Sequence, residues 1–138
     1  MIRTLRRVDM QNSELISAAQ AAREKAYAPY SGFKVGAALL TEDDRVFTGA
    51  NVENVSFGLT MCAERVAVGT AVQAGAMTFR AIVVVSDSTE PVVPCGACRQ
   101  VLAEFAPDLE ILSATVNGKA TEFNLATLLP VPRQGILG

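Results

Sequence analysis

The apolar positions of this chain follow two periods, one typical of helices and one typical of strands. From about Ser13 to Tyr27, apolar residues recur every three or four positions, which predicts an amphipathic helix. Asn12 or Ser13 can cap the start of this helix, and Pro29 ends the run. The pattern therefore places a first helix ahead of the strands.

The rest of the chain alternates between strands and helices. The expected segments are strands at 34–40, 45–51, 80–86 and 109–116, helices at 62–75 and 95–105, and a short helix at 124–129. The first two strands form a hairpin across an acidic turn, and Ala-Ile-Val-Val-Val in the third suits a strand buried on both faces. This order predicts an α/β fold, with a partly parallel sheet and helices on both of its faces.

Length and composition limit the classes of protein to consider. A chain of 138 residues, 50% of them hydrophobic, is expected to form a single domain over residues 1–138. No apolar stretch approaches the roughly 18 residues of a membrane span. Arg3, Arg6 and Arg7 are not followed by an apolar region, so the start does not predict a secretory signal. We expect no membrane partner.

Charge and cysteine content point to a small substrate and a reducing compartment. The net charge is −2 and no basic stripe is present, which argues against a nucleic-acid partner. Three cysteines are an odd number, which argues against a secreted disulfide framework. The expected location is therefore cytoplasmic.

The three cysteines form a pattern that suits a metal ion. Cys95 and Cys98 are separated by two residues, and Cys62 lies well before them. Together they can supply three thiolates to one Zn²⁺ per chain. The chain has no histidine and no fourth cysteine, which leaves an open position where water can be activated. Glu64 follows Cys62 by two residues and is the candidate proton carrier.

Both cysteine motifs fall where a predicted strand gives way to a predicted helix. This is the carboxyl edge of the sheet, where ligands usually bind and helix N-termini stabilise thiolates. Three thiolates and one Zn²⁺ carry a net charge of −1, which would weaken the activation of water. Arg65 and Arg99 directly follow Glu64 and Cys98, so we expect one or both to donate hydrogen bonds to the sulfurs.

These motifs resemble those of the zinc-dependent cytidine deaminases, in the short branch with three cysteine ligands. The resemblance rests on residues 30–38, 51–54, 62–64 and 94–102, and it extends from about Ala28 to Pro130. It implies a three-layer α/β/α sandwich around a mixed five-stranded sheet. It also implies zinc as the cofactor, Glu64 as the catalytic base and acid, and a homotetramer with shared active sites.

The resemblance also implies a substrate and the residues that bind it. Asn51 and Glu53 match residues that bind the ribose hydroxyls. Phe33 matches an aromatic residue that packs on the pyrimidine, and Ala63 matches a residue whose backbone contacts the base. The expected reaction is hydrolytic deamination of cytidine and 2′-deoxycytidine to uridine and 2′-deoxyuridine, with release of ammonia, in pyrimidine salvage.

Two departures from the family pattern and three competing functions accompany this expectation. Phe57 stands where many relatives have tyrosine, and no aromatic residue follows Pro130, so Ile136 or Leu137 is the candidate for an apolar lid. The same chemistry could act on another cytosine nucleoside such as blasticidin S, although relatives that do so lack the Asn51 and Glu53 pair. The cysteine pattern would also suit a non-catalytic structural zinc module, or a thiol oxidoreductase that uses the Cys-x-x-Cys pair.

Overall fold

The computed structural model describes residues 7–133, which form four helices, five strands and one 3₁₀ turn. The helices are α1 (Arg7–Arg23), α2 (Ala63–Gln73), α3 (Gly96–Phe105) and α4 (Leu125–Leu128). The strands are β1 (Val35–Thr41), β2 (Val46–Ala50), β3 (Phe79–Ser86), β4 (Glu110–Thr115) and β5 (Ala120–Asn124), and the 3₁₀ turn is Phe57–Leu59. Within residues 7–133, no helix has the length and apolarity needed to cross a bilayer.

The strands form one mixed sheet in the order β2-β1-β3-β4-β5. Strand β1 is antiparallel to both β2 and β3, β3 is parallel to β4, and β4 is antiparallel to β5. Strands β2, β3 and β4 therefore point in the same direction and end at the same edge of the sheet. The segments that lead from β2 into α2 and from β3 into α3 begin at this edge.

The sheet separates two hydrophobic cores. On one face, Leu15 and Ala19 of α1 pack in a cluster with Val83 and Val85 of β3. On the other face, α2 and α3 pack in a larger cluster that contains Ile82 and Val84 of β3, with Leu102 of α3. Strand β3 thus buries both of its faces, as its apolar run predicted, and the expected three-layer sandwich is confirmed.

Two glycines allow the helices to approach the sheet closely. A Cβ on Gly49 of β2 would lie 2.4 Å from Ala67 N and 2.5 Å from Ala63 O, both in α2. A Cβ on Gly36 of β1 would lie 2.0 Å from Ala19 O of α1. Only glycine fits at such distances, so these two positions set the spacing of the three layers. Gly49 also sets where the first turn of α2 lies.

The boundaries of the first helix were predicted wrongly. Helix α1 begins at Arg7, so Asn12 and Ser13 lie within it and do not cap it. It ends at Arg23, because the backbone of Tyr27 bonds elsewhere, donating to Asn51 O at 2.9 Å and accepting from Glu53 N at 2.9 Å. These tertiary bonds draw the chain out of the helix before Pro29.

Strand β5 was not predicted from the pattern, which indicated only four strands; the five-stranded sheet came from the family resemblance. The other segments agree with the prediction to within one or two residues at each end. The basic start at Arg3 and Arg6, and the expected lid at Ile136 or Leu137, lie outside the described residues.

Candidate metal centre and substrate site

The three cysteines meet at the edge where β2 and β3 end. Cys62 directly precedes α2, Cys95 directly precedes α3, and Cys98 lies in the first turn of α3. Their sulfur atoms all lie within 4.8 Å of one another, and those of Cys62 and Cys95 are 3.7 Å apart. Tetrahedral zinc, with Zn–S bonds of about 2.3 Å, holds sulfur atoms about 3.8 Å apart. The cluster therefore fits zinc in both donor chemistry and spacing.

The cluster favours a thiolate at Cys62. The Cys98 thiol and the Arg65 guanidinium lower the pKa of Cys62 to about 5. Conversely, interaction with Cys62, together with burial, raises the pKa of Cys98. These opposite shifts favour one thiolate within the cluster at neutral pH, and metal binding would displace the remaining thiol protons. The N-termini of α2 and α3 add partial positive charge at the same place.

The two arginines beside the cluster have different partners. Arg65 Nη2 donates to Cys62 Sγ at 3.5 Å and to Thr60 O at 3.3 Å, so it reaches a sulfur as expected. The same sulfur contacts raise the pKa of Arg65. Arg99 instead donates to Pro94 O at 2.8 Å and Leu128 O at 3.5 Å, and no sulfur bond to it is found among the described residues. Arg99 thus secures the backbone before Cys95.

Glu64 lies in the first turn of α2 and is almost fully buried, with 5% of its surface exposed. Burial raises the pKa of its carboxyl group to about 7, and the nearby charge of Cys62 contributes in the same direction. A carboxyl group with this pKa can hold or release a proton near neutral pH. The structure therefore places next to the sulfur cluster a group suited to proton transfer.

Asn51 holds the backbone on both sides of Lys34. Its Oδ1 accepts from Val35 N at 2.9 Å, and its Nδ2 donates to Phe33 O at 2.8 Å. The residue is 7% exposed, so these bonds are largely shielded from water. One N–H of the amide remains for another acceptor. The sequence did not predict that the Asn51 amide also bonds to the protein backbone.

Glu53 is joined to the same region through the loop before β1. Its carboxylate accepts from Tyr30 N at 2.9 Å, from Ser31 N at 3.1 Å and from the Ser31 hydroxyl. The Ser31 hydroxyl, followed by the backbone amides, lowers the pKa of Glu53. Sequence reasoning missed Ser31, whose only signal is its position in the Tyr30-Ser31-Gly32 turn, where Gly32 has a φ of 71°.

An open pocket of about 320 Å³ lies beside Glu53. Its lining comprises Tyr30, Ser31, Glu53, Phe57 and Thr60. The rings of Tyr30 and Phe57 meet edge to face, with their centroids 6.1 Å apart, and form an apolar wall. At position 57, where the family resemblance implies tyrosine, the phenylalanine presents a hydrocarbon edge to the pocket. Of the other expected substrate residues, Phe33 is partly exposed and Ala63 is buried.

Comparison with known proteins identifies the family. The profile described as "Cytidine and deoxycytidylate deaminase zinc-binding region" matches residues 9–113. A cytidine deaminase of Halalkalibacterium halodurans is 50% identical over 122 residues, which cover 88% of this chain and 92% of that protein. The crystal structure of cytidine deaminase from Burkholderia pseudomallei, 53% identical, superposes with a TM-score of 0.82 and covers 86% of this chain and 95% of that one. The chain belongs to the cytidine and deoxycytidylate deaminase family.

A relative with a different substrate is more distant. A blasticidin-S deaminase of Bacillus cereus is 34% identical over 134 residues, which cover 90% of this chain and 93% of that protein. At about 50% identity, the cytidine deaminases are the better match. The comparisons confirm the predicted family, fold and enzyme class, and they favour cytidine over the antibiotic.

Proposed function

We propose that this enzyme hydrolyses cytidine and 2′-deoxycytidine to uridine and 2′-deoxyuridine, releasing ammonia. The observation that carries the proposal is the convergence of three cysteine sulfurs within 4.8 Å, with the buried Glu64 two residues after Cys62. A metal held by three protein ligands keeps a position for water, and a carboxyl group beside it can move that water's proton. Pyrimidine salvage in the cytoplasm is the setting we propose.

Cys62, Cys95 and Cys98 would hold one zinc ion per chain. When bound, this ion supplies a Lewis acid that lowers the pKa of a water molecule. Arg65 withdraws charge from the ligand set through its hydrogen bond to Cys62 Sγ. Arg99 acts at a distance from the sulfurs, by fixing the position of Pro94.

Glu64 performs the proton transfers. It accepts a proton from the attacking water and donates it to N3 of the pyrimidine, so that the new C–O bond forms at C4. It then carries a second proton from the added hydroxyl to the amino group, which leaves as ammonia. A pKa of about 7, raised by burial, lets one carboxyl group act as base and then as acid without a large energetic penalty in either direction.

Asn51 and Glu53 bind the ribose, and Phe33 and Ala63 contact the base. The remaining N–H of Asn51 donates to a ribose hydroxyl, while the ionised Glu53 accepts from one. The Phe33 ring packs against the pyrimidine face, and the Ala63 backbone faces the base at the start of α2. A free base would leave the polar groups without partners, so a nucleoside is preferred.

A homotetramer with shared active sites is the proposed assembly. Val55, Phe57 and Leu59 are all strongly exposed, and they follow β2 in the segment that leads to Cys62. A cluster of exposed apolar side chains beside a substrate pocket is typical of a surface that another chain covers. Light scattering after size exclusion measures the assembly, and a stable monomer at micromolar concentration would contradict the proposal.

A direct assay decides among the candidate functions. Loss of the ultraviolet absorbance of cytidine, with ammonia released in equal amount, is the expected result, together with about one zinc per chain. Turnover of blasticidin S with none of cytidine would assign the other substrate. Zinc without ammonia release would identify a structural module, and a protein purified without chelators that lacks zinc would favour thiol oxidoreduction. The Glu64→Gln variant, purified in parallel, measures any contaminating deaminase.

A further inference from the structure

An ion pair made by α1, on the opposite face of the sheet from α2 and α3, ties three elements together. Arg23, at the end of α1, donates from Nη1 to Asp87 Oδ1 at 2.6 Å. Asp87 directly follows β3, and its Oδ2 accepts from Lys34 N at 2.9 Å, just before β1. The side chains of Arg23 and Asp87 are only 19% and 30% exposed. This pair is better shielded than the surface pair Lys119–Glu90, whose side chains are 61% and 70% exposed.

The backbone that Asp87 binds also carries Phe33. Lys34 N donates to Asp87, while the flanking groups Phe33 O and Val35 N bond to the Asn51 amide. Phe33 N donates to Ser31 Oγ at 2.9 Å, and the Ser31 hydroxyl donates to Glu53. The three proposed substrate contacts Phe33, Asn51 and Glu53 therefore belong to one hydrogen-bonded network. Arg23 and Asp87 anchor that network to α1 and β3.

We propose that Arg23 and Asp87 are positioning residues for the nucleoside, setting where the Phe33 ring lies over the base. This inference rests on the proposed function, because it takes Phe33 to be a base contact. The sulfur cluster and Glu64 lie at the starts of α2 and α3, on the face of the sheet opposite α1. The pair therefore acts on binding of the nucleoside, while the groups that perform the chemistry keep their places.

Replacement of Asp87 by asparagine disturbs the network with little change in volume. The amide offers one acceptor oxygen, whereas Asp87 offers one oxygen to Arg23 and the other to Lys34 N. In the variant, an N–H group must face one of these two donors, so one bond is lost. A displaced Phe33 ring would contact the base less closely in the ground state and in the transition state alike. Since uniform binding is lost, the loss falls on KM.

The experiment compares Asp87→Asn and Arg23→Met with two matched variants. Glu24→Gln removes the other ion pair of Arg23, made to an exposed carboxylate at 2.7 Å, and leaves Asp87 untouched. Arg23→Lys keeps a charged donor to Asp87. We measure kcat and KM for cytidine, the zinc content, and amide exchange of the segment 30–36. Exchange reports on the Lys34 N–H directly and does not depend on activity.

The expected result is a rise in KM of about tenfold in Asp87→Asn and Arg23→Met, with kcat within about twofold and zinc content unchanged. Amide exchange at 30–36 should be at least about tenfold faster in both variants. Glu24→Gln should match the wild type, and Arg23→Lys should recover most of the affinity. An unchanged KM in Asp87→Asn, or a loss confined to kcat with loss of zinc, overturns the proposal.

If the proposed function is wrong, the same experiment gives a different result. If the wild-type protein does not deaminate cytidine, that function is wrong whatever the variants do. Amide exchange then decides alone whether the ion pair holds the Phe33 segment. Exchange at 30–36 that is the same in Asp87→Asn and wild type would overturn the positioning role even in that case.

Discussion

Asn51→Ala should reduce stability as well as activity. The amide of Asn51 is the partner of two backbone groups, Val35 N and Phe33 O, and its side chain is 7% exposed. Truncation leaves both groups without that partner. An unsatisfied buried polar group costs about 1–3 kcal/mol, so two would cost about 2–6 kcal/mol. Because Phe33 is 37% exposed, water can reach part of this segment, and we expect a loss of about 2–4 kcal/mol.

Urea denaturation of the zinc-loaded protein measures this loss. All variants are compared at one protein concentration, since association makes the midpoint depend on concentration. Asn54→Ala is the matched control, because Asn54 is exposed and, within residues 7–133, its Oδ1 accepts only the local bond from Ser56 N at 2.9 Å. We expect the control to lose less than about 1 kcal/mol. Asn51→Asp should be as harmful as Asn51→Ala, because a carboxylate oxygen would then face the Phe33 carbonyl oxygen.

The refuting result is a free energy of unfolding for Asn51→Ala within about 0.5 kcal/mol of wild type. The Asn51 amide would then be dispensable to the backbone, and its role would be limited to the substrate. A stable but inactive Asn51→Ala enzyme would also contradict the inference that Asn51 holds Phe33 in position.

Four further predictions concern the site itself. Cys95→Ala should lose zinc, measured by metal analysis, and melt at a lower temperature, because metal binding contributes to folding; full zinc occupancy would contradict its role as a ligand. Glu64→Gln should keep zinc and the fold but lose about 10²–10⁴-fold in kcat, and more than about a tenth of wild-type activity would refute its role. Arg65→Ala should keep zinc and shift the pH–rate profile to higher pH, with Arg65→Gln less affected; coincident profiles would show that the charge is balanced elsewhere. Glu53→Gln should reduce kcat/KM for cytidine while leaving any activity on cytosine unchanged, and equal losses on both would show that Glu53 does not bind the sugar.

The cysteine cluster could be predicted from the sequence because its signals are local. Cys95 and Cys98 are separated by two residues, and Glu64 and Arg65 closely follow Cys62. Helices α2 and α3 each start immediately after a cysteine. The order of these residues along the chain therefore also determines their order around the site. Only the approach of Cys62 to Cys95 depends on the tertiary fold. Strands β2 and β3 end at the same edge of the sheet and so bring these two residues together.

The contacts made by Asn51 and Glu53 could not be predicted, because they join distant segments. Asn51 reaches back to Val35, and Glu53 reaches back to Tyr30 and Ser31. No periodicity connects such positions. Strand β5 was missed for another reason: it is an edge strand with Ala120, Thr121 and Glu122 exposed, so it lacks the apolar alternation of a half-buried strand.

The opposite pKa shifts of Cys62 and Glu64 show how neighbouring residues divide their tasks. Burial disfavours the charged form of both groups, yet the pKa of Cys62 falls to about 5 and that of Glu64 rises to about 7. The difference lies in their partners, since Cys62 interacts with the Cys98 thiol and Arg65, whereas burial dominates at Glu64. Arg65 Nη2 lies within hydrogen-bonding distance of the sulfur, and its charge lowers the pKa of Glu64 only as a minor contribution. A cation bound directly to Glu64 would lower its pKa and make it a poorer acid for the second transfer that we propose. Arg65 therefore stabilises the thiolate from a position that leaves the proton affinity of Glu64 high.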